Sequence, residues 1–172
     1  MKKILILGIL FSFFGCKTTS PLQTVDNVDL GKYTGKWYEI AAFPQPFEKG
    51  CSCVTAEYGV SGKKYIVVSN SCYKAADKKK TKARGKAFIV KGSNYSKLKV
   101  QFFWPFKGKY WIIELADDYS YAVVGNPSRK ALWILGREKI MDDTTYNSIL
   151  DKVSKKGFDI TKLKKTDQSC VN

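Results

Sequence analysis

The sequence predicts an all-β fold, an eight-stranded antiparallel up-and-down barrel with one C-terminal α-helix packed against its outside. Three observations predict it. Eight short β-rich runs follow one another from Lys36 onward, each bounded by Gly, Asn, Asp or Lys clusters. Several of them alternate apolar and polar residues with period two, and a single segment of helical periodicity follows the last. The chain has 172 residues, 44% hydrophobic and 14% aromatic, which is enough to bury the core of one domain and too little for two.

The runs span residues 36–43, 53–60, 64–71, 82–90, 97–104, 110–115, 120–125 and 131–137. Ser61-Gly62 offers a two-residue turn between the second and third, and Gly92-Ser93-Asn94 a turn between the fourth and fifth. Pro127 breaks the chain before the eighth. Alternation is clearest in Leu98-Lys99-Val100-Gln101-Phe102, which places Leu98, Val100 and Phe102 on one face. In the helix, Asp142 and Asp143 supply an N-cap and the negative charge favoured at a helix start. Tyr146, Ile149, Leu150 and Val153 share its apolar stripe, and Lys155-Lys156-Gly157 closes it. An extended tail from Phe158 to Val171 returns Cys170 to the body.

Ahead of the barrel, Lys2-Lys3, the apolar run Ile4 to Phe14 and the small Gly15 before Cys16 form the three zones of an export signal, residues 1–15. At 11 residues the run is too short to span a bilayer, for which about 20 are needed. Gly15-Cys16 resembles a bacterial lipobox, in which the cysteine takes the lipid, although Phe13 and Phe14 are bulkier than usual there. The alternative is an ordinary secretory signal cut elsewhere. On the lipobox reading Cys16 is the acylated N-terminus, residues 16–27 are a Thr-, Ser- and Pro-containing tether, and residues 28–172 are the barrel domain.

Lys+Arg 30 against Asp+Glu 15 gives a net charge of +15, which suggests an anionic partner: a membrane surface, nucleic acid or an acidic ligand. Export argues against nucleic acid as the partner. The densest cluster, Asp77 to Arg84, is either a solvated hairpin or a surface for anionic headgroups. Histidine is absent, which removes Ser-His-Asp and Cys-His nucleophiles, His-containing zinc sites and the usual near-neutral general base. Besides Cys16 there are four cysteines, Cys51, Cys53, Cys72 and Cys170, enough for two disulfides in any of three connectivities. Cys-x-Cys without paired Cys-x-x-Cys elements argues against zinc, and no metal site is expected.

Three regions occur in order: Gly35-Lys36-Trp37-Tyr38-Glu39-Ile40, with Val25 to Leu30 before it and Phe43-Pro44 and Phe47 to Gly50 after it; Asp118-Tyr119 with Tyr121-Ala122-Val123-Val124; and Leu132-Trp133-Ile134-Leu135-Gly136-Arg137. Together they resemble the lipocalin family across residues 25–170. Behind a lipobox-like signal they resemble the bacterial outer-membrane lipoprotein lipocalins, relatives of apolipoprotein D. The resemblance implies an outer-membrane, lipid-anchored location in the cell envelope and a fatty acid or lysophospholipid as ligand. It also implies that Gly35, Trp37 and Arg137 are a fold signature, with Trp37 plugging the closed end of the barrel under the Arg137 guanidinium. Such a contact is worth about 0.5–2 kcal/mol.

Strand parity then names a lining. If Arg137 points inward, so do Leu135, Trp133 and Ala131. If Lys99 and Gln101 face water, Leu98, Val100, Phe102 and Trp104 face in. Glu114 outward puts Trp111, Ile113 and Leu115 inside, and counting from Trp37 puts Phe43 near the mouth. The set makes an apolar, aromatic cavity suited to acyl chains, or equally a barrel filled by its own side chains. With Ser61-Gly62 as the turn, Val60 opposes Lys63 and Cys51 faces Cys72, which leaves Cys53 for Cys170, as the apolipoprotein D-like resemblance also implies.

The functional expectation is a non-enzymatic, lipid-anchored binding or transport protein without a cofactor. At about 0.8 kcal/mol per buried methylene a long acyl chain supplies on the order of 10 kcal/mol before association costs. Two alternatives stand beside it. A lipid isomerase would need a cavity thiolate from a free Cys51 or Cys53. A structural surface lipoprotein would need only a filled barrel.

Overall fold

The computed structural model describes residues 20–61, 65–74 and 79–170. The predicted signal, Cys16 and the start of the tether lie outside them. A short helix α1 (Leu30–Tyr33) leads into eight strands: β1 (Gly35–Ala42), β2 (Cys51–Val60), β3 (Ile66–Lys74), β4 (Lys79–Ile89), β5 (Lys97–Gln101), β6 (Gly108–Leu115), β7 (Tyr121–Gly125) and β8 (Leu132–Gly136). Helix α2 (Asp143–Lys155) and a two-residue strand β9 (Lys164–Lys165) follow. Each strand pairs antiparallel with the next, and β1 pairs with both β8 and β2, so the sheet closes into a barrel. The connections after β1, β3, β5 and β7 share one end, called the open end because α1 and Trp37 close the other, where the remaining connections lie.

The barrel wall is apolar on both faces and so carries two cores. The inner one gathers Trp37, Tyr58, Val68, Leu98, Ile112 and Leu135. The outer one places Ile40, Phe43, Ile113, Val123 and Ile134 beneath Tyr146, Ile149 and Val153 of α2, together with Phe158. The helix forms where its caps dictate: the Asp142 side chain accepts from the Thr145 amide at 2.8 Å, and Gly157 ends it at φ +84°. Lys152 and Lys156 reach Glu114 of β6 at 3.8 and 3.1 Å.

Several expectations are corrected. β5 ends at Gln101 instead of running to 104, because Pro105 offers no ladder donor and the chain turns, with the Phe106 amide donating to the Phe103 carbonyl at 3.0 Å. Val60 pairs with Ile66, so residues 61–65 and not a two-residue turn connect β2 to β3. A bulge between Ser52 and Thr55 shifts the ladder again, and Cys51 stands opposite Lys74. Cys51 and Cys72 nevertheless bond as diagonal neighbours, with Cα atoms 5.5 Å apart. Cys53, at φ 51° in that bulge, bonds Cys170 of the tail across 6.1 Å.

Residues 20–27, expected as the end of a tether, pack on the barrel instead. Leu22 is buried in the outer core, Thr24 bonds Ser96, and the Val25 amide donates to the Ile112 carbonyl at 3.0 Å.

Candidate functional site

The floor of the barrel is built by α1. Its N-cap Asp29 accepts from the Gly31 and Lys32 amides at 2.8 and 3.3 Å and turns Tyr33 inward. The Trp37 indole donates to the Tyr33 carbonyl at 2.8 Å. Gly35 precedes it at φ +90°, a conformation that a side chain would strain. The Arg137 guanidinium lies 3.7 Å from the centre of the Trp37 ring and donates to the Lys36 and Lys32 carbonyls, tying β8, β1 and α1 together. Above this, the hydroxyls of Tyr33, Tyr110 and Tyr58 form a chain with links of 2.7 and 2.8 Å. Burial pushes all three phenols up, Tyr58 to about 12, so this hydroxyl layer above the Trp37–Arg137 pair is polar but uncharged.

Five of the ten predicted lining residues, Leu98, Val100, Phe102, Trp133 and Leu135, belong to the inner cluster, and Leu115 joins them. Ala131 is buried at the open-end start of β8, where its carbonyl accepts from the Asn126 amide. The other four are elsewhere. Phe43, Trp111 and Ile113 face the outer core under α2, and Trp104 is 86% exposed in the β5–β6 connection.

Two bulges explain the first three. On β1 the ladder shifts between Glu39 and Ala41, so Ile40 and Ala41 both face out and every later residue changes face. On β6 it shifts between Ile112 and Glu114, so Ile113 and Glu114 both face out while Tyr110, Ile112 and Leu115 face in. Counting by twos through a bulge gives the wrong face.

Sequence reasoning missed the polar groups of the interior. Glu39 pairs with Leu135 and so shares the inner face, 5% exposed, where it accepts from the Thr166 hydroxyl at 2.6 Å. Gln168 of the tail bonds the Glu39 and Val54 carbonyls at 2.8 and 2.9 Å, filling the gap where β1 and β2 part. Glu48, in the β1–β2 connection, is pushed up to about 7 by burial and by the charge of Glu39, against a hydrogen bond from Trp133. Glu39 is raised by burial as well. On β3, the buried Oδ1 of Asn70 has no hydrogen-bond partner among the described residues. The position of Glu39 two residues after Trp37 was the available sign for one of these groups.

Chemically the site offers apolar walls, a layer of neutral hydroxyls near the floor, the Glu39 carboxyl midway along β1 and the Glu48 carboxyl in the β1–β2 connection. Among the described residues no group of three or more His, Cys, Asp or Glu side chains is arranged to hold a metal ion. Cys51, Cys53, Cys72 and Cys170 are all paired.

A closed eight-stranded barrel floored by a Trp–Arg pair and backed by one helix is a family architecture, and residues 28–168 match the Lipocalin-like domain family. The chain is a lipocalin. It is 38% identical over 143 residues to the outer membrane lipoprotein Blc of Vibrio cholerae, covering 83% of this chain and 84% of that one. Apolipoprotein D of Mus musculus is 36% identical over 159 residues, 87% of this lipocalin and 80% of its own length. Among solved structures, insecticyanin of the tobacco hornworm Manduca sexta superposes with a TM-score of 0.68 at 25% identity, covering 85% of this chain and 84% of that one.

Proposed function

We propose that this lipocalin is a lipid-anchored carrier of the bacterial cell envelope, held at the outer membrane through an acylated Cys16, that binds a fatty acid or lysophospholipid in its barrel. The observation that carries the reading is the apolar inner wall of Leu98, Val100, Phe102 and Trp133 rising from a layer of neutral tyrosine hydroxyls, in a relative of outer membrane lipoproteins. An acyl chain loses little by entering such a space and gains the burial of its methylenes. The carboxyl groups of Glu39, midway along β1, and of Glu48, in the connection after it, suit a headgroup better than a second alkyl chain. With all four described cysteines paired, none of them offers the thiolate that an isomerase would need.

Tryptophan-monitored titration with a fatty acid and with a lysophospholipid tests this. Saturable change is expected in the parent, loss of most of it in Trp133→Phe, and weaker binding in Ala131→Phe, where overpacking costs about 1–3 kcal/mol. Trp111→Phe and Trp37→Phe should keep the signal. The absence of saturation with both ligands defeats the cavity reading. Retention of Cys16→Ser in carbonate-washed membranes defeats the anchor.

A further inference from the structure

The open end of the barrel carries an unusual surface. Phe103, Trp104 and Phe106 in the β5–β6 connection are 77%, 86% and 78% exposed, and Phe47 in the β1–β2 connection is 65% exposed. Single exposed apolar residues are ordinary, whereas four large rings on two loops of one rim need a partner. Exposed lysines surround them: Lys79 and Lys80 at the start of β4, and Lys107 and Lys109 at the start of β6. Glu48 is the one acidic residue in the described connections of this end. Rings that anchor in a headgroup layer beside cations that attract anionic lipid are the two elements of interfacial membrane binding.

The path of the chain points the same way. The Ser20 carbonyl accepts from Arg129 at 2.7 Å, and Arg129 sits in the β7–β8 connection, between the two loops that bear the rings. Ser20, the first described residue, therefore lies beside the open end. Cys16 is four residues upstream, a span of at most about 14 Å. This part rests on the reading of Cys16 as the acylated anchor; the aromatic and basic rim does not.

We propose that the open end is a membrane-docking surface: Phe103, Trp104, Phe106 and Phe47 enter the interfacial layer of an anionic bilayer, with the rim lysines on its headgroups and the cavity mouth against the lipid. Ligand then passes between bilayer and barrel without crossing bulk water, and the short anchor holds the protein with its mouth down.

The mature chain carrying Cys16→Ser, which has no acyl chains, is mixed with phosphatidylethanolamine–phosphatidylglycerol vesicles or with phosphatidylcholine vesicles and floated. It should float with the anionic vesicles, about tenfold less with the neutral ones, and less as salt is raised. The variant Phe103→Ser/Trp104→Ser/Phe106→Ser should bind anionic vesicles about tenfold more weakly. Brominated acyl chains should quench part of the tryptophan emission, and Trp104→Phe should remove that part. Equal flotation of parent and triple variant, or no quenching assignable to Trp104 on vesicles, overturns the proposal. So does a parent dimer in sedimentation that the triple variant dissolves while vesicle binding stays equal, which makes the rim a contact between two copies. Fatty-acid titration of both proteins without vesicles separates the two readings. Its failure removes the cavity function and leaves the flotation result to stand alone.

Discussion

The guanidinium carbon of Arg137 lies 3.7 Å from the centre of the Trp37 ring, with its two terminal nitrogens each bonded to a different backbone carbonyl, those of Lys36 and Lys32. One side chain from the last barrel strand thus fixes the first strand and the helix before it. Replacement by Ala should cost about 1–3 kcal/mol in urea unfolding, from the lost ring contact and two charge-assisted bonds. Arg137→Lys keeps the charge but not the fork, so it should recover less than half. An unchanged midpoint in Arg137→Ala contradicts this.

Glu48 gives stability a defined pH dependence. Burial, and then the charge of Glu39, raise its carboxyl to about 7 in the folded protein against a hydrogen bond from Trp133. The folded state therefore holds a proton that the unfolded chain releases near pH 4.3, so the unfolding free energy declines as pH rises from about 4.3 to about 7. With solvent screening the loss is on the order of 1–2 kcal/mol. Urea unfolding at pH 5 and pH 8 should show this decline in the parent and a smaller one in Glu48→Gln. Equal slopes in both rule Glu48 out as its source.

The two disulfides should differ in worth. Cys53–Cys170 has a sequence separation of 117 and Cys51–Cys72 one of 21. In the chain-entropy account these loops are worth about 4–5 and about 3 kcal/mol. Denaturant unfolding of Cys53→Ser/Cys170→Ser and Cys51→Ser/Cys72→Ser should follow that order, and non-reducing peptide mapping should return the same two pairs. A Cys72–Cys170 peptide contradicts the pairing.

The outer core should be separable from the cavity. A Cβ at Gly125 would lie 2.6 Å from the Phe158 ring, so Phe158 packs directly on the strand. Phe158 also meets Phe43 edge-on at 6.3 Å between ring centres. Phe158→Ala should cost about 3–5 kcal/mol and leave fatty-acid affinity unchanged under conditions where the variant stays folded. A matched loss of affinity indicates that the two faces of the wall are coupled.

Much of this was legible in the sequence because a strand's alternation repeats every two residues and a helix declares its caps. Asp142 and Gly157 bound α2 where they are expected, Leu98 and Val100 lie on the inner face that Lys99 and Gln101 imply, and Trp133 and Leu135 on the one counted back from Arg137. What failed was local. A bulge adds a residue without a compositional mark, so Phe43, Trp111 and Ile113 appear on the wrong face. Trp104 followed an apolar alternation that Pro105 interrupts. The Cys51–Cys72 bond was reached through a register that the structure does not have, since Cys51 stands opposite Lys74. Glu39 stands within the Gly35–Ile40 motif, but only the pairing with Leu135 reveals it as a buried acid of the interior.

The extra residue in β6 has an evolutionary meaning as well as a geometric one. Between Ile112 and Glu114 the strand holds one amino acid more than β7 requires, so this is a place where a single-codon deletion leaves the hydrogen-bonded ladder intact. Losing Ile113 would bring the two strands into equal count with Trp111 and Glu114 still outward and Ile112 and Leu115 still inward, so no other side chain would change face. One mutational event would take a side chain from the helix-covered exterior and leave the inner lining as it is, so a bulge on this wall lets chain length vary without touching the interior.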